Sequence, residues 1–185
     1  MRVFVALPLP HAAAAALASG LEPLRSQTTG IRWVNASGFH VTLHFFGEAD
    51  STQVDELSRA LAEPGLRGPA IPARLGGLGQ FPPQGSPRAL WVSLASGGAE
   101  ARGVWQAVEK TVAALGWQPD PRGFTPHVTV GRAGRERPPS IDASRFVPSS
   151  LDFLFTEIVL FESLPDKGGA VYNPLARAML DGRGP

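Results

Sequence analysis

No cysteine occurs among the 185 residues of the chain. This absence excludes a disulfide framework, a thiolate zinc site and a cysteine nucleophile. Lysine is also scarce, since 15 of the 17 basic residues are arginine. The guanidinium fork of arginine matches phosphate, but a net charge of +1 is far from the strongly basic balance of a dedicated nucleic-acid binder. Any nucleic-acid contact is therefore expected to be local.

A long hydrophobic run is missing as well. The apolar N-terminus, MRVFVALPLPHAAAAALASG, is interrupted by Pro8 and Pro10, and the stretches on either side are too short to span a bilayer. We expect no membrane contact and a cytoplasmic location. Its length and its 43% apolar and 18% charged residues predict one domain over residues 1–185, with room for two interleaved lobes that share one core. We also expect a monomer.

Hydrophobic periodicity predicts a mixture of strands and helices. Predicted strands cover residues 2–7, 31–34, 40–46, 71–81, 88–94, 125–132, 151–161 and 170–180. One predicted helix follows Pro10, and two others span residues 50–62 and 99–115, the last with Leu115 on its apolar side. The Asn-Ala-Ser-Gly turn between the second and third strands favours a hairpin. Because helices and strands do not alternate regularly, we expect an α+β fold.

One order of elements occurs twice: a strand, a helix and then a strand that carries a His-x-Thr-x motif. The two motifs begin at His40 and His127. Such a repeat is typical of two lobes related by pseudo-symmetry.

Strand geometry brings the polar groups of each motif together. Side chains alternate between the two faces of a strand, so His40 and Thr42 share one face, as do His127 and Thr129. If the two strands are neighbours, two imidazoles and two hydroxyls converge on one cleft. Such a quartet can hold a phosphate between a general base and a general acid, with the hydroxyls donating to its oxygens and no metal required. The other interpretation is that each histidine is a packing or surface residue.

A metal site is the competing interpretation of His40 and His44, since an i, i+4 pair converges on a helix. The run VTLHFF favours a strand instead, where residues four apart are separated by about 13 Å, too far to share one ion. We therefore predict no metal and no cofactor. His44 is expected to be a neighbour on the cleft face, and His11 a surface residue.

Five segments in this order carry a family resemblance: RVFVALPLP, RWV with FHVTLHFFGE, FPPQGSPRALWV, FTPHVTVGR and IVLFESLPDKGGAVY. The chain resembles the two-histidine (2H) phosphoesterases over nearly its whole length. It is most similar to bacterial and archaeal RNA 2′,3′-cyclic phosphodiesterases, which are also described as 2′-5′ RNA ligases. The resemblance implies a bilobal α+β fold with two pseudo-symmetric antiparallel-sheet lobes, flanking helices and a cleft between them.

The same resemblance implies an activity, the hydrolysis of RNA 2′,3′-cyclic phosphate ends to 2′-phosphomonoesters. It makes His40 the proton donor to the departing 3′ oxygen and His127 the base that activates water. Thr42 and Thr129 would hold the phosphate. Two alternatives remain open: ATP-independent 2′-5′ joining of RNA ends, and a non-catalytic module that binds RNA termini.

Arg132 is a further phosphate contact that the resemblance implies. Strict alternation along the strand places it on the face opposite His127, so a twist or bulge near Gly131 is needed. The other interpretation is that Arg132 is a surface charge. Three aromatic residues, Trp33, Trp91 and Phe45, lie in strand-like runs. Each either packs into the core or stacks on a base at the RNA end.

Overall fold

Three helices flank a nine-stranded antiparallel sheet in the part of the chain that the structure, a computed structural model, describes. This part comprises residues 1–63, 66, 68–119, 123–134, 141–166 and 169–180. The helices are α1 (His11–Arg25), α2 (Ser51–Ala62) and α3 (Gly98–Ala114). The strands are β1 (Arg2–Pro8), β2 (Ile31–Trp33), β3 (His40–Glu48), β4 (Ile71–Phe81), β5 (Ala89–Ser96), β6 (His127–Ala133), β7 (Asp152–Phe155), β8 (Glu157–Asp166) and β9 (Gly169–Met179). The predicted α+β class is confirmed.

The order of strands shows two related halves. The sheet runs β7-β4-β5-β6-β3-β1-β8-β9, with β2 attached to β6. Four strands lie on each side of the junction between β6 and β3, and each half contains a strand–helix–strand unit, β1-α1-β3 and β5-α3-β6. The repeat of elements predicted from the sequence is therefore present in the fold, and it places both motif strands at the centre of the sheet.

Helix α2 illustrates how local sequence sets an element. Asp50 accepts a hydrogen bond from the backbone N–H of Gln53, and the Gln53 side chain accepts one from the backbone N–H of Asp50, which forms a capping box. The apolar stripe of this helix is buried and consists of Val54, Leu57 and Leu61. This stripe packs on β8 and β9.

Helix α3 crosses the junction between the two halves, since it packs on β3 of one half and on β4 and β5 of the other. Gly97 precedes it with a φ of +83°, and a Cβ there would come within 2.6 Å of the carbonyl oxygen of Pro72, so both conformation and space require glycine. The prediction for Leu115 is wrong: this residue follows the last helical residue and is 36% exposed.

Two predictions of chain path are wrong. β2 does not form a hairpin with β3, because a 3₁₀ turn at Ala36–Gly38 redirects the chain and β2 pairs with β6 instead. Residues 151–161 are not one strand, since the chain leaves the sheet at Thr156. β7 pairs with β4 in one half, whereas β8 pairs with β1 in the other, so no single strand can serve both partners.

Candidate active site

The two motif strands meet where their histidines lie. Within the described residues, β3 and β6 are joined by one residue pair, Val41 with Val128. Both valines are fully buried, so the residues before and after them turn to the other face of the sheet. In an antiparallel register, His40 lies level with Thr129 and the second histidine lies level with the first threonine. The four polar side chains predicted from the sequence are thus on one face, around one junction.

Each imidazole is held by the carbonyl of the residue two positions earlier. The Nδ1 of His40 donates to the oxygen of Gly38 at 2.8 Å, and the Nδ1 of His127 donates to the oxygen of Thr125 at 2.6 Å. A carbonyl only accepts, so the proton resides on Nδ1 in both rings. The Nε2 atom of each neutral ring then carries the lone pair. Both histidines are in the tautomer in which Nε2 is the atom that exchanges a proton.

Thr42 contacts the free nitrogen of the first histidine. Its Oγ1 lies 3.1 Å from the Nε2 of His40, and its hydroxyl donates to this nitrogen when the ring is neutral. Thr42 is exposed and Thr129 half-buried, so both remain open to a ligand on this face.

Burial keeps both imidazoles neutral. Desolvation lowers the pKa of His40 to about 4, with further lowering by the charges of Arg132 and His127 and partial compensation by the hydrogen bond to Gly38. Desolvation likewise lowers the pKa of His127, where the charge of Arg132 acts in the same direction. The two histidines are therefore uncharged bases at neutral pH.

Arg132 reaches this face because β6 contains a bulge. Leu90 of β5 pairs with Gly131 and Trp91 pairs with Thr129, which leaves Val130 as an extra residue. Val130 and Gly131 are consequently both buried, and Arg132 returns to the face of the histidines. Its charge influences both imidazoles and the Tyr172 hydroxyl, whose pKa burial raises and Arg132 lowers. The bulge that the sequence required for Arg132 is present.

Aromatic rings enclose His40. Phe4 lies 4.8 Å from its ring, and Tyr172 contacts it edge-on at 5.1 Å. These contacts remove water from the imidazole and account for its desolvation. Sequence reasoning missed both residues as parts of the site. Phe4 lies in a strand that predicts only core packing, and Tyr172 is distant along the chain, although it is the single tyrosine.

A second aromatic pair borders His127. Phe81 and Trp91 stack at 5.2 Å, and their rings lie 5.3 Å and 5.8 Å from the imidazole. A Cβ at Gly79 would collide with the indole ring of Trp91, so this glycine is what allows the indole to lie on β4. Phe81 is 38% exposed, so part of this side chain is open to solvent beside the histidine.

The other two aromatic candidates lie farther from the imidazoles. Trp33 is half-buried, packs under the guanidinium of Arg25 at 5.7 Å and lines a cavity next to the site. Phe45 is 45% exposed and lies under the guanidinium of Arg2 at 5.5 Å. Whether either residue stacks on a base at the RNA end stays a prediction.

His44 is not on the cleft face, and its predicted place is wrong. It is 4% exposed, and its Nδ1 lies 2.5 Å from the Oε1 of Glu109 on α3. The reason is a second bulge: Val5 pairs with His44 and Ala6 pairs with Thr42, so Leu43 is an extra residue and the alternation reverses after it. His11 is exposed, as predicted.

A cavity of about 420 Å³ lies next to His40, to which it is connected through Tyr172. Arg132 and Tyr172 line it and also border the site, and its lining further includes Arg2, Arg32, Trp33 and Asn35. In the described residues, no group of three or more histidine, aspartate or glutamate side chains converges as a metal-binding cluster would.

The sequence model of the 2′-5′ RNA ligase superfamily matches residues 9–167. The chain, an antiparallel-sheet protein with two His-x-Thr motifs on adjacent strands, belongs to this superfamily. It is 31% identical over 177 residues to the RNA 2′,3′-cyclic phosphodiesterase of Archaeoglobus fulgidus, which covers 95% of this chain and 98% of that protein. The family predicted from the five sequence segments is confirmed.

Two further relatives with the same name are matched over only part of their length. The Aeropyrum pernix protein is 35% identical over 106 residues, 56% of this chain and 59% of the relative. The Geobacillus stearothermophilus protein is 30% identical over 168 residues, 89% of this chain and 52% of the relative. The chain thus spans roughly half to three fifths of these two proteins.

Solved structures support the same fold. A Thermus thermophilus protein superposes with a TM-score of 0.73 at 27% identity, covering 99% of this chain and 100% of that one. Escherichia coli LigT in a complex with NADP+ superposes with a TM-score of 0.75 at 24% identity, covering 97% of each chain. Among the described helices, none has the length and apolarity that crossing a bilayer requires.

Proposed function

We propose that this protein hydrolyses the 2′,3′-cyclic phosphate at RNA ends to a 2′-phosphomonoester, without a metal ion, by general acid–base catalysis. One observation carries the proposal. Two imidazoles on adjacent strands are each anchored through Nδ1, which leaves both Nε2 atoms to exchange protons at one arginine-bordered cleft. The activity named for the relatives from three organisms supports the same reaction.

The reaction needs one base and one acid. Nε2 of His127 removes a proton from water as the water oxygen forms a bond to phosphorus. Nε2 of His40, in its protonated form, gives its proton to O3′ as the P–O3′ bond breaks. After the reaction His127 is protonated and His40 is neutral. Proton exchange with solvent returns both rings to their starting states. Each transfer contributes about 10² to 10⁴-fold to the rate.

The substrate itself supplies the charge that His40 needs. With a pKa of about 4, His40 by itself is neutral at pH 7. A phosphate anion about 4 Å from the imidazolium contributes about 4 kcal/mol at an effective dielectric constant of 20, which equals about three pKa units. Binding of the cyclic phosphate therefore brings the pKa of His40 close to neutrality. The acid is formed only when the substrate is present.

The remaining polar groups stabilise the developing charge. Thr42 and Thr129 donate to the non-bridging oxygens, and Arg132 neutralises the negative charge that grows on them in the transition state. The assignment of His127 as the base is supported by its greater openness: Thr42 is within hydrogen-bond reach of the Nε2 of His40. No such contact from a described residue is present at the Nε2 of His127.

Turnover of a nucleoside 2′,3′-cyclic phosphate in EDTA tests the proposal. We expect the natural protein to be active and His40→Ala and His127→Ala each to lower kcat by about 10² to 10⁴-fold. His11→Ala, at an exposed histidine, is the matched control and should retain full activity. Full activity in both cleft variants, or strict dependence on an added metal, would contradict the mechanism.

Analysis of the product separates the neighbouring possibilities. A 2′-phosphomonoester is expected as the sole product, because O3′ is the leaving group. Supplying a second RNA with a free 5′-hydroxyl end tests 2′-5′ joining, in which a ribose hydroxyl replaces water. Binding of the cyclic phosphate without any turnover would instead indicate a module that only recognises RNA termini.

A further inference from the structure

The cavity next to His40 has the composition of an anion site. Three arginines line it, Arg2, Arg32 and Arg132, together with the polar side chains of Asn35 and Ser163. No aspartate or glutamate is among its lining residues, as far as the described side chains extend. The catalytic chemistry proposed above uses Arg132 and leaves the other two arginines without a role.

Two of these arginines face each other directly across a strand pair. Arg32 of β2 is the register partner of Arg132 of β6. Like charges placed directly opposite on adjacent strands destabilise a sheet. Among the described side chains, no carboxylate forms an ion pair with either arginine, so the repulsion is not relieved within that part of the protein. A bound anion between the two guanidinium groups would relieve it.

Arg2 approaches the same cavity from β1. Its Nε is 4.0 Å from a carboxylate oxygen of Glu48, and both side chains are largely exposed, at 60% and 75%. An exposed pair at this separation contributes little. Arg2 is thus available to a ligand, in contrast to Arg74 and Arg177, each of which donates to a carboxylate at 2.6 to 2.9 Å.

The position of the cavity identifies the anion. Tyr172 belongs both to the cavity lining and to the aromatic wall of His40, so the cavity continues the groove in which the cyclic phosphate would lie. The nucleoside that carries the cyclic phosphate is linked to the rest of the RNA through a phosphate on its 5′ carbon. That phosphate is the nearest further anion on an RNA substrate.

We infer that Arg32, with Arg2, binds the phosphate on the 5′ side of the terminal nucleoside, so that the site distinguishes an RNA end from a free nucleoside 2′,3′-cyclic phosphate. The inference rests on the proposed function. Arg32 is in this respect a specificity-determining residue. It contributes to binding of the longer substrate and has no part in the proton transfers.

Three substrates that share the same terminal nucleoside test this inference. They are the nucleoside 2′,3′-cyclic phosphate, the same compound with a 5′-phosphate, and a dinucleotide that ends in it. A charge-assisted hydrogen bond is worth about 1.5 to 3 kcal/mol, or at least about ten-fold in kcat/KM. We expect the natural protein to favour the second and third substrates over the first by about this factor.

Arg32→Gln should lose that preference. Its kcat/KM for the two substrates with a 5′ phosphate is expected to fall about ten-fold, while the value for the simple cyclic phosphate changes less than about two-fold. Arg2→Gln should act in the same direction. Arg59→Gln on α2 removes the same charge from an exposed position away from the cavity, and should change none of the three values. The Tm of Arg32→Gln should equal or exceed that of the natural protein, because a like-charge pair is removed.

Four outcomes would overturn the inference. They are an unchanged substrate preference in Arg32→Gln, an equal loss on all three substrates with a lower Tm, an effect limited to the dinucleotide, and an equal effect of Arg59→Gln. An effect limited to the dinucleotide would indicate that Arg32 contacts the additional nucleoside and not the 5′ phosphate. Absence of turnover of the simple cyclic phosphate by the natural protein would refute the proposed function as well, so the two failures are distinguishable.

Discussion

Val41 and Val128 face each other at the junction of the two halves of the sheet, and each is the residue that follows a motif histidine. The pair is fully buried, and the imidazoles that precede it lie on the opposite face. This contact joins β3 to β6 and also sets the spacing of the two catalytic candidates. Both valines are part of the core, so core packing and assembly of the site are linked at this pair.

The low pKa of His40 predicts how stability depends on pH. The pKa is about 4 in the folded protein and about 6.5 in the unfolded chain, so between these values the unfolded chain binds more protons. The free energy of unfolding should therefore be highest above pH 6.5 and fall as the pH is lowered towards 4, by about 3 kcal/mol for this residue. His127 acts in the same direction. Urea unfolding at several pH values measures the slope, and His40→Gln should flatten it; an unaltered slope in this variant would contradict the prediction.

Removing the charge of Arg132 should raise the pKa of both cleft histidines, because the guanidinium lowers both. NMR titration of the imidazole C–H signals in Arg132→Gln tests this shift. The same variant should lower kcat/KM for the cyclic phosphate by about 10²-fold, since a group that stabilises transition-state charge is lost. Arg59→Gln is the control for both measurements, and an equal response in that variant would argue against a local effect of Arg132.

The buried pair of His44 and Glu109 should be important for stability because it connects β3, which carries His40, to α3. The side chains are only 3% and 12% exposed, and the Oε2 of Glu109 is buried without a hydrogen-bond partner in the described residues. Glu109→Ala leaves a buried imidazole unpaired and should lower the free energy of unfolding by about 3 kcal/mol. The double variant His44→Phe with Glu109→Leu should recover most of this loss, because it removes both polar groups. If the double variant instead loses as much stability as the two single variants together, the two residues are not coupled.

Two glycines of β4 give a matched pair for the wall beside His127. Gly79→Ala forces a methyl group into the indole of Trp91, and should destabilise the protein by about 1 to 3 kcal/mol and change its tryptophan fluorescence. Gly77→Ala meets no atom within 4 Å and should leave the protein equally stable or slightly more stable. Turnover should decrease only in Gly79→Ala, because Trp91 contacts His127. Equal behaviour of the two variants would exclude this steric role.

Local patterns in the sequence predicted most of the elements and the central pair of motifs. Helix α2 and the strands that carry His40 and His127 occur where the sequence pattern predicted them. These features depend on side chains only a few residues apart, which lie close together whenever the helix or strand forms. Because such patterns are local, they predicted the hairpin of β2 and the position of His44 wrongly. Strand partners and bulges are decided by residues far away in the chain.

The sequence by itself therefore determined the family, the α+β class and the pairing of each histidine with its threonine, because a strand places residues two apart on the same face. Only the tertiary structure decided which side chains complete the site. The bulge at Val130 brings Arg132 to the histidines, the bulge at Leu43 turns His44 away from them, and distant strands supply Phe4 and Tyr172. Bulges form where the register of neighbouring strands must be adjusted, and this adjustment depends on the packing of the whole sheet.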